Sequence, residues 1–443
     1  MRNSMYRDRR GERGVTMVLI ALAMVSLLAM AALAIDITTL YVARSEAQNA
    51  ADAAALAGAK MFVTSGVTSV GGGAPPIAFT DVCQTAGPGN TAAANRQAEA
   101  TASQNNVAGT PAAVLQISCD SSQPENPRIT VTVQRTALPT FFARIWNRAS
   151  STITATATAE AFNASGSTVP IQTESVKPWF VPNCDPARIV ASPGGNPNCP
   201  AGGGQNYDYF VNPDSTIANN GAYLGSPLQL LRITTTSTSP IPTNPPATSR
   251  FYVTDIPLDP PVAACPDTNA VSCDQVGTND YRDNIACASK QRVTCGQSFP
   301  VRRPNGYGQL TRDGVQCLIH AEGTGLNRGQ DVFVSGGTLP VTINPGANNP
   351  NPTLSGNGTL NISRSESIVT VPLYNGQNLC TGGPCVSGTV VGFLQIGITQ
   401  SQPAGQPQVE GVILNAVGCG APGPTNPISG GGVAPIPVRL IHN

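Results

Sequence analysis

The sequence predicts an α+β protein in two parts. An N-terminal transmembrane helix continues into an alanine-rich helix packed on a small sheet, and a mainly-β, disulfide-bonded domain follows. Three observations predict it. Thr16 to Ile35 is about twenty residues without a charge, enough helix to cross roughly 30 Å of hydrocarbon. Beyond the N-terminal segment, 45 glycines and 39 prolines favour turns and short strands over long helices. Twelve cysteines, an even number, follow an export-type N-terminus, which points to disulfides in an oxidising compartment.

The elements follow in order. Residues 1–15 form a basic tail in which Arg2, Arg7, Arg9, Arg10 and Arg13 hold the N-terminus in the cytoplasm, so the chain after Asp36 is expected to be exported. Residues 16–35 are the span. Ala32-Leu33-Ala34 before Ile35 fits a small-x-small signal-peptidase site, which would release a secreted binding protein. Against cleavage, the apolar run is long for a signal and the helical pattern continues without a breaker to Lys60. Processing as a pilin would need a glycine followed at the fifth position by glutamate; Gly14 is followed there by Leu19, and Gly11 by Thr16.

In the extension 36–60, Ala43, Ala47, Ala51, Ala55 and Ala59 recur every four residues, with Ala50, Ala54 and Gly58 beside them. This face permits close backbone approach, either to the chain's own downstream sheet or to another membrane-anchored helix. Arg44, Gln48 and Asp52 form a polar i, i+4 row in which Gln48 is placed to bond Asp52.

Residues 61–168 are expected to form an α+β domain. The stretch 61–91 reads as loop, Ala92 to Asn106 as a short helix, and Ala113 to Cys119, Arg128 to Arg135 and Ser151 to Phe162 as strands of alternating pattern. Phe141, Phe142 and Trp146 with Arg144 and Arg148 make an aromatic cluster, read as a core-facing turn or a membrane-touching wedge. A boundary is placed near 165–175. In residues 169–443, strands are expected at Gln229 to Thr235, Asp331 to Ile343, Ser367 to Leu373, Val386 to Ile398 and Gln408 to Val417, suggesting a β-sandwich or an irregular all-β domain.

The segment "RGERGVTMVLIALAMVSLLAMAALAIDITTLYVARSEAQNAADAAALAGA" resembles the N-terminus of TadG-like proteins of the Tad (tight adherence, Flp pilus) assembly system. The likeness lies in an uncut apolar helix, an aspartate at its outer end (Asp36), an aromatic soon after (Tyr41) and the Ala47 to Ala59 ending. A strand, an "FFARIW" turn and a Thr/Ala-rich strand extend it to about residue 165. The resemblance implies a non-enzymatic structural or assembly role in the bacterial inner membrane, with other Tad-system membrane or pilin-like subunits as partners. It assigns helix packing and orientation to Asp36, Tyr41, Gln48, Asp52 and the alanine row. The metal-binding D-x-S-x-S motif of the von Willebrand A-type domain found in many TadG proteins does not occur in this sequence.

Chemistry-bearing residues are sparse. His320 and His442 are the only histidines and no G-x-S-x-G elbow exists, so no catalytic residues are assigned. Cys317 and His320 sit at three-residue spacing but lack a C-x2-C partner pair, and no metal is expected. Asp274, Asp280, Asp283 and Asn284 offer oxygen ligands but lack EF-hand spacing and its twelfth-position glutamate, so they read as a surface loop, with a Ca2+ site as the alternative. No phosphate-cradling loop is present, so no nucleotide or other cofactor is expected. With 25 basic and 25 acidic side chains, the overall charge offers nothing to nucleic acid.

Cys83, Cys119, Cys184, Cys199, Cys265, Cys273, Cys287, Cys295, Cys317, Cys380, Cys385 and Cys419 are all expected in disulfides. The spacing suits local staples between Cys265 and Cys273, Cys287 and Cys295, and Cys380 and Cys385.

Overall fold

A computed structural model of the chain describes residues 10–65, 67, 78–122, 126–140, 142, 150–161, 172–173, 175–233, 239–242, 247–256, 273, 279–287, 291–302, 306–322, 327–334, 341–347, 365–380, 384–402, 409–419 and 438–441. The architecture is α+β: a long apolar helix, a small sheet beneath its second half, and a mainly-β part built on a six-stranded barrel.

Helix α1 (Arg10–Thr64) is 55 residues long, about 80 Å at 1.5 Å per residue. It passes unbroken from the apolar run into the alanine-rich half and ends a turn beyond Lys60. In the stretch read as loop, Phe79–Val82 forms one helical turn, and its Phe79 ring stacks on Phe62 at 5.3 Å between centroids. Helix α2 (Ala93–Ser103) packs beside α1.

Strands β1 (Ala113–Asp120), β2 (Arg128–Pro139) and β3 (Ser150–Ala161) pair antiparallel in that order. Ile129, Val131 and Val133 of β2 and Ala155, Ala157, Ala159 and Ala161 of β3 point into the core, as their period of two dictates. Thr130 and Thr132 face the other way and bond Thr158 and Thr156 across the sheet at 2.9 and 3.1 Å. Strand β2 runs past the expected end at Arg135. A register shift between Arg135 and Leu138 absorbs the break in alternation, and Ala137 takes a left-handed φ of 56° there.

The later part contains β4 (Trp179–Pro182), β5 (Pro227–Arg232), β6 (Thr248–Thr254), helix α3 (Asp280–Ala286), β7 (Ser298–Arg302), helix α4 (Tyr307–Leu318), β8 (Ile368–Tyr374), β9 (Ser387–Thr389), β10 (Gly392–Ser401) and β11 (Val409–Gly418). Their sheet runs β5-β11-β10-β8-β4-β6, and β5 also pairs with β6, so six strands close on themselves. The mainly-β part expected as a sandwich or an irregular all-β domain thus takes the form of a barrel, extended at one side by β7 and β9. The closing β5–β6 pairing is parallel, Gln229 opposite Thr248 through Arg232 opposite Phe251. A parallel contact between strands separated by a loop has no local sequence signal.

Alternate residues Trp179, Val181, Phe251, Val253, Val369, Val371, Leu373, Leu394, Ile396 and Ile398 share one core with Ile285 of α3 and Val315 and Leu318 of α4. Phe180, Tyr252, Tyr374 and Phe393 form a second on the opposite strand faces, with Phe299 and Val301 of β7. Burial on both faces explains why β8, apart from Thr370, reads as an apolar run. A Cβ on Gly314 would lie 2.9 Å from both Arg282 O and Ile285 Cβ, so glycine lets α4 approach α3.

Two expected strands are split. Val332–Val334 and Thr342–Asn344 form a hairpin within the Asp331 to Ile343 stretch, and the Val386 to Ile398 stretch divides into β9 and β10.

Disulfides join Cys83 to Cys119, Cys184 to Cys199, Cys273 to Cys317, Cys295 to Cys419 and Cys380 to Cys385. Cys287 is also disulfide-bonded, and Cys265 lies outside the described residues. The tight Cys380–Cys385 staple matches its spacing. The local pairings of Cys273 with Cys265 and of Cys295 with Cys287 are overturned: Cys273 reaches α4, and Cys295 reaches the end of β11, 124 residues away. Folding, not spacing, brings those sulfurs together.

The last described strand, β12 (Val438–Ile441), returns to the first sheet and pairs antiparallel with β3.

Candidate functional site

The residues singled out on α1 fall into two environments that meet at Asp36. Before it, Val15, Met17, Leu19, Leu22, Val25, Leu28 and their neighbours are exposed around the whole circumference. Among the described residues this is the one helix long and apolar enough to cross a membrane, and it is a candidate span. Within it Ser26 Oγ donates to Ala23 O at 2.8 Å, and just past Asp36 Thr38 Oγ1 donates to Ala34 O at 2.8 Å and Thr39 Oγ1 to Ile35 O at 2.9 Å. Such back-bonding lets polar side chains sit where water is scarce.

Asp36 itself is only 4% exposed. Its Oδ2 accepts the Phe142 N–H at 3.0 Å, tying α1 to the turn after β2, beside buried Leu138 and Thr140. Phe141, Arg144, Trp146 and Arg148 lie outside the described residues. Tyr41, one turn on, is 75% exposed and points away from the body.

From Ala43 the helix belongs to the protein's own core. Ala43, Ala47, Ala50, Ala51, Ala54, Ala55 and Ala59 are buried against the sheet and the alanines of α2. The backbones come close enough that a Cβ on Gly58 would meet Ile129 Cδ1 at 2.7 Å and Ala94 O at 3.2 Å. Along the rim, Gln48 Nε2 donates to Asp52 Oδ1 at 2.8 Å and to Thr156 O of β3 at 3.2 Å, while Glu46 accepts the Ala108 N–H at 2.7 Å. The polar row thus links the helix to the sheet edge as well as to itself. At the helix end, Asn415 Nδ2 of β11 donates to Val63 O at 3.1 Å, supplying a partner for a terminal carbonyl. Asn415 was not singled out from sequence, because an asparagine inside an apolar strand carries no mark of a partner 352 positions away.

The other chemistry-bearing residues take structural places. Cys317 is bonded to Cys273, so its sulfur is not available beside His320. His320 ends α4: its N–H donates to Cys317 O at 3.1 Å, and the Ala321 N–H donates to Gln316 O at 2.8 Å. This is a Schellman ending with histidine at the left-handed position, φ 48°. Its Nε2 lies 2.7 Å from Glu366 Oε2. His442 and Asp274 lie outside the described residues.

The surface-loop reading of 274–284 is corrected for its second half. There Asp280 is exposed at the start of α3, but Arg282–Ala286 are buried, Asp283 pairs with Arg282 at 3.5 Å, and Asn284 Nδ2 donates to Ile256 O at 3.0 Å. Lys177 is buried beneath this helix and donates to Asn284 O and Cys287 O at 3.2 and 2.7 Å, closing its C-terminus. Burial pushes its ammonium down to about 7. Among the described residues no group of three or more His, Cys, Asp or Glu is placed to hold a metal ion.

In comparison with known families, residues 14–61 match the model of the Tad family, Flp pilus-assembly TadE/G-like. The match covers the N-terminal part of the chain and coincides with α1; the resemblance from there to residue 165 lies outside it. No curated protein and no solved structure matches the chain.

Proposed function

We propose that this chain is a non-enzymatic, single-pass component of the bacterial inner membrane with a structural or assembly role in a Tad/Flp-type pilus or related secretion apparatus. The observation that carries the reading is the coincidence of the TadE/G-like match with a helix exposed and apolar in its first half and buried in its own body in the second. Such a helix transmits the position of the membrane rigidly to the body, because its alanine face cannot slide against the sheet without steric clash.

In this reading Asp36 sets the exit point from the bilayer, Tyr41 lies at the headgroup level and the arginine tail remains in the cytoplasm. Ala43, Ala47, Ala51, Ala55 and Ala59 seat the helix on the sheet, and Gln48 and Asp52 orient it. The span's free circumference is then the surface offered to other Tad membrane subunits and to pilin-like helices.

Release after Ala34 as a secreted binding protein is the competing outcome. The unbroken helix through Ala34, with Thr38 bonded to its carbonyl, supports retention. Mass analysis of the chain from membrane and medium fractions is expected to recover peptides preceding Gly14 only in the membrane. A mature chain beginning at Ile35 in the medium would overturn the anchor. Isolation of the tagged chain is expected to bring down other Tad membrane proteins, and its deletion to abolish pili; an anchored chain that does neither would refute the assembly role.

A further inference from the structure

The membrane-proximal sheet protects its two edges by different means. At the β1 edge, Ala86 and Ile117 exchange backbone hydrogen bonds of 3.0 Å in both directions, and Cys119 N–H donates to Thr85 Oγ1 at 2.9 Å. The Cys83–Cys119 disulfide fastens that segment covalently across the edge. The β3 edge is covered instead by β12, whose register sets Val438 opposite Ala161, Arg439 opposite Glu160, Leu440 opposite Ala159 and Ile441 opposite Thr158. Val438 and Leu440 pack against the core, and both are partly buried. No disulfide lies in this strand, and about 18 residues rich in glycine and proline separate it from Cys419. A segment of that length reaches up to about 60 Å, beyond the width of one such body.

An exposed strand edge is a template for another strand, and an edge filled by a short, tethered, non-covalent strand is open to exchange. We propose that the Ser150–Ala161 edge is a strand-acceptor site and that its exchange partner is the Val438–Ile441 strand of a second copy of this chain. The tether favours the strand's own sheet at an effective concentration in the millimolar range, so exchange needs copies crowded side by side. Anchoring in one membrane supplies both the crowding and a common orientation. The recognition chemistry is backbone pairing plus two aliphatic anchors, Val438 and Leu440, over the alanines of β3. The proposal depends on the membrane anchor and not on whether a pilus is made.

The test uses the full chain in membranes. Thr158 and Ile441 are opposite one another, and each is only half-buried. A Thr158→Cys, Ile441→Cys double variant treated with a short bismaleimide is expected to give an adduct within one chain, mapped by mass spectrometry. Co-expressed single variants carrying different tags are expected to give an adduct joining the two tags through the same pair. That adduct should disappear when the Ile441→Cys chain also carries Leu440→Asp, with membrane levels unchanged. An intrachain adduct with none between tags overturns the exchange; absence of both adducts overturns the docked strand as well.

Discussion

The two halves of the molecule are packed on opposite principles. The core proximal to the N-terminus is built largely of alanine: seven from α1, four from α2 and four from β3 meet around Ile117, Ile129, Val131 and Val133. The barrel core is filled with large side chains, among them Trp179, Phe180, Phe251, Tyr252, Tyr374 and Phe393, all essentially inaccessible. Small residues bury little area each but bring backbones together, so the proximal unit depends on close approach and tolerates no added volume. The barrel depends on volume already present and suffers from its removal. A long helix laid closely on a sheet needs the first property; a closed barrel on strands with little local determination needs the second.

The largest test of this contrast is Trp179→Ala. It is expected to cost about 3–5 kcal/mol of barrel stability, with Trp179 Nε1 no longer donating to Tyr281 Oη at 3.2 Å. Hydrogen exchange should show the α1 amides from Ala43 to Ala59 still protected; loss of protection there would mean that the two cores unfold as one.

The converse change, Ala51→Leu, is expected to cost about 1–3 kcal/mol through overpacking and to leave barrel amides protected. An unchanged melting temperature would show that the alanine seam has room and that the contrast is false.

Electrostatics sharpens the comparison next, because the barrel side also carries an imperfect buried charge. Burial, with the Asp208 carboxylate opposite, pushes Asp185 up to about 6. A carboxyl raised in the folded state stabilises it while protonated, so this contribution is present below about pH 4 and lost as pH rises through 6. Asp185→Asn, which keeps an acceptor for the Ala187 N–H, is expected to stabilise the protein at pH 7 by on the order of 2 kcal/mol and by little at pH 4. Equal effects at both pH values in denaturant titrations would remove burial of charge as the cause.

The smallest effect is expected from Asp36→Ala, which deletes the bond to Phe142 N–H at the cost of about 1 kcal/mol. Proteolysis near residue 142 should accelerate while the melting temperature barely moves. A large stability loss would make Asp36 a core residue instead of a local tie.

Several elements were legible in the chain because their signals are local. The apolar run, the four-residue alanine repeat and the period of two in β2 and β3 state which face is buried without reference to any partner. The Cys380–Cys385 staple is legible for the same reason, since five residues cannot carry the two sulfurs far apart. Other elements had no such signal. Cys295 pairs with Cys419, not with its close neighbour; whether the strands make a sandwich, an irregular all-β domain or a barrel is not legible, because closure lies in the pairing of β5 with β6. Likewise, Asp283 and Asn284 read as part of a surface loop over 274–284 until the fold buries them beside Lys177, while Asp280 stays exposed.

By itself the sequence determined a membrane-length helix with a seam of small residues, a sheet with one apolar face and a β-rich, cysteine-linked remainder, since side-chain size and periodicity act within a few residues. Only the tertiary structure decided what covers the alanine seam, which cysteines meet, that the strands close, and that Asn415 reaches α1 and Val438–Ile441 the first sheet. Those contacts join positions far apart in the chain, and their energy comes from surfaces that exist only once both partners have folded.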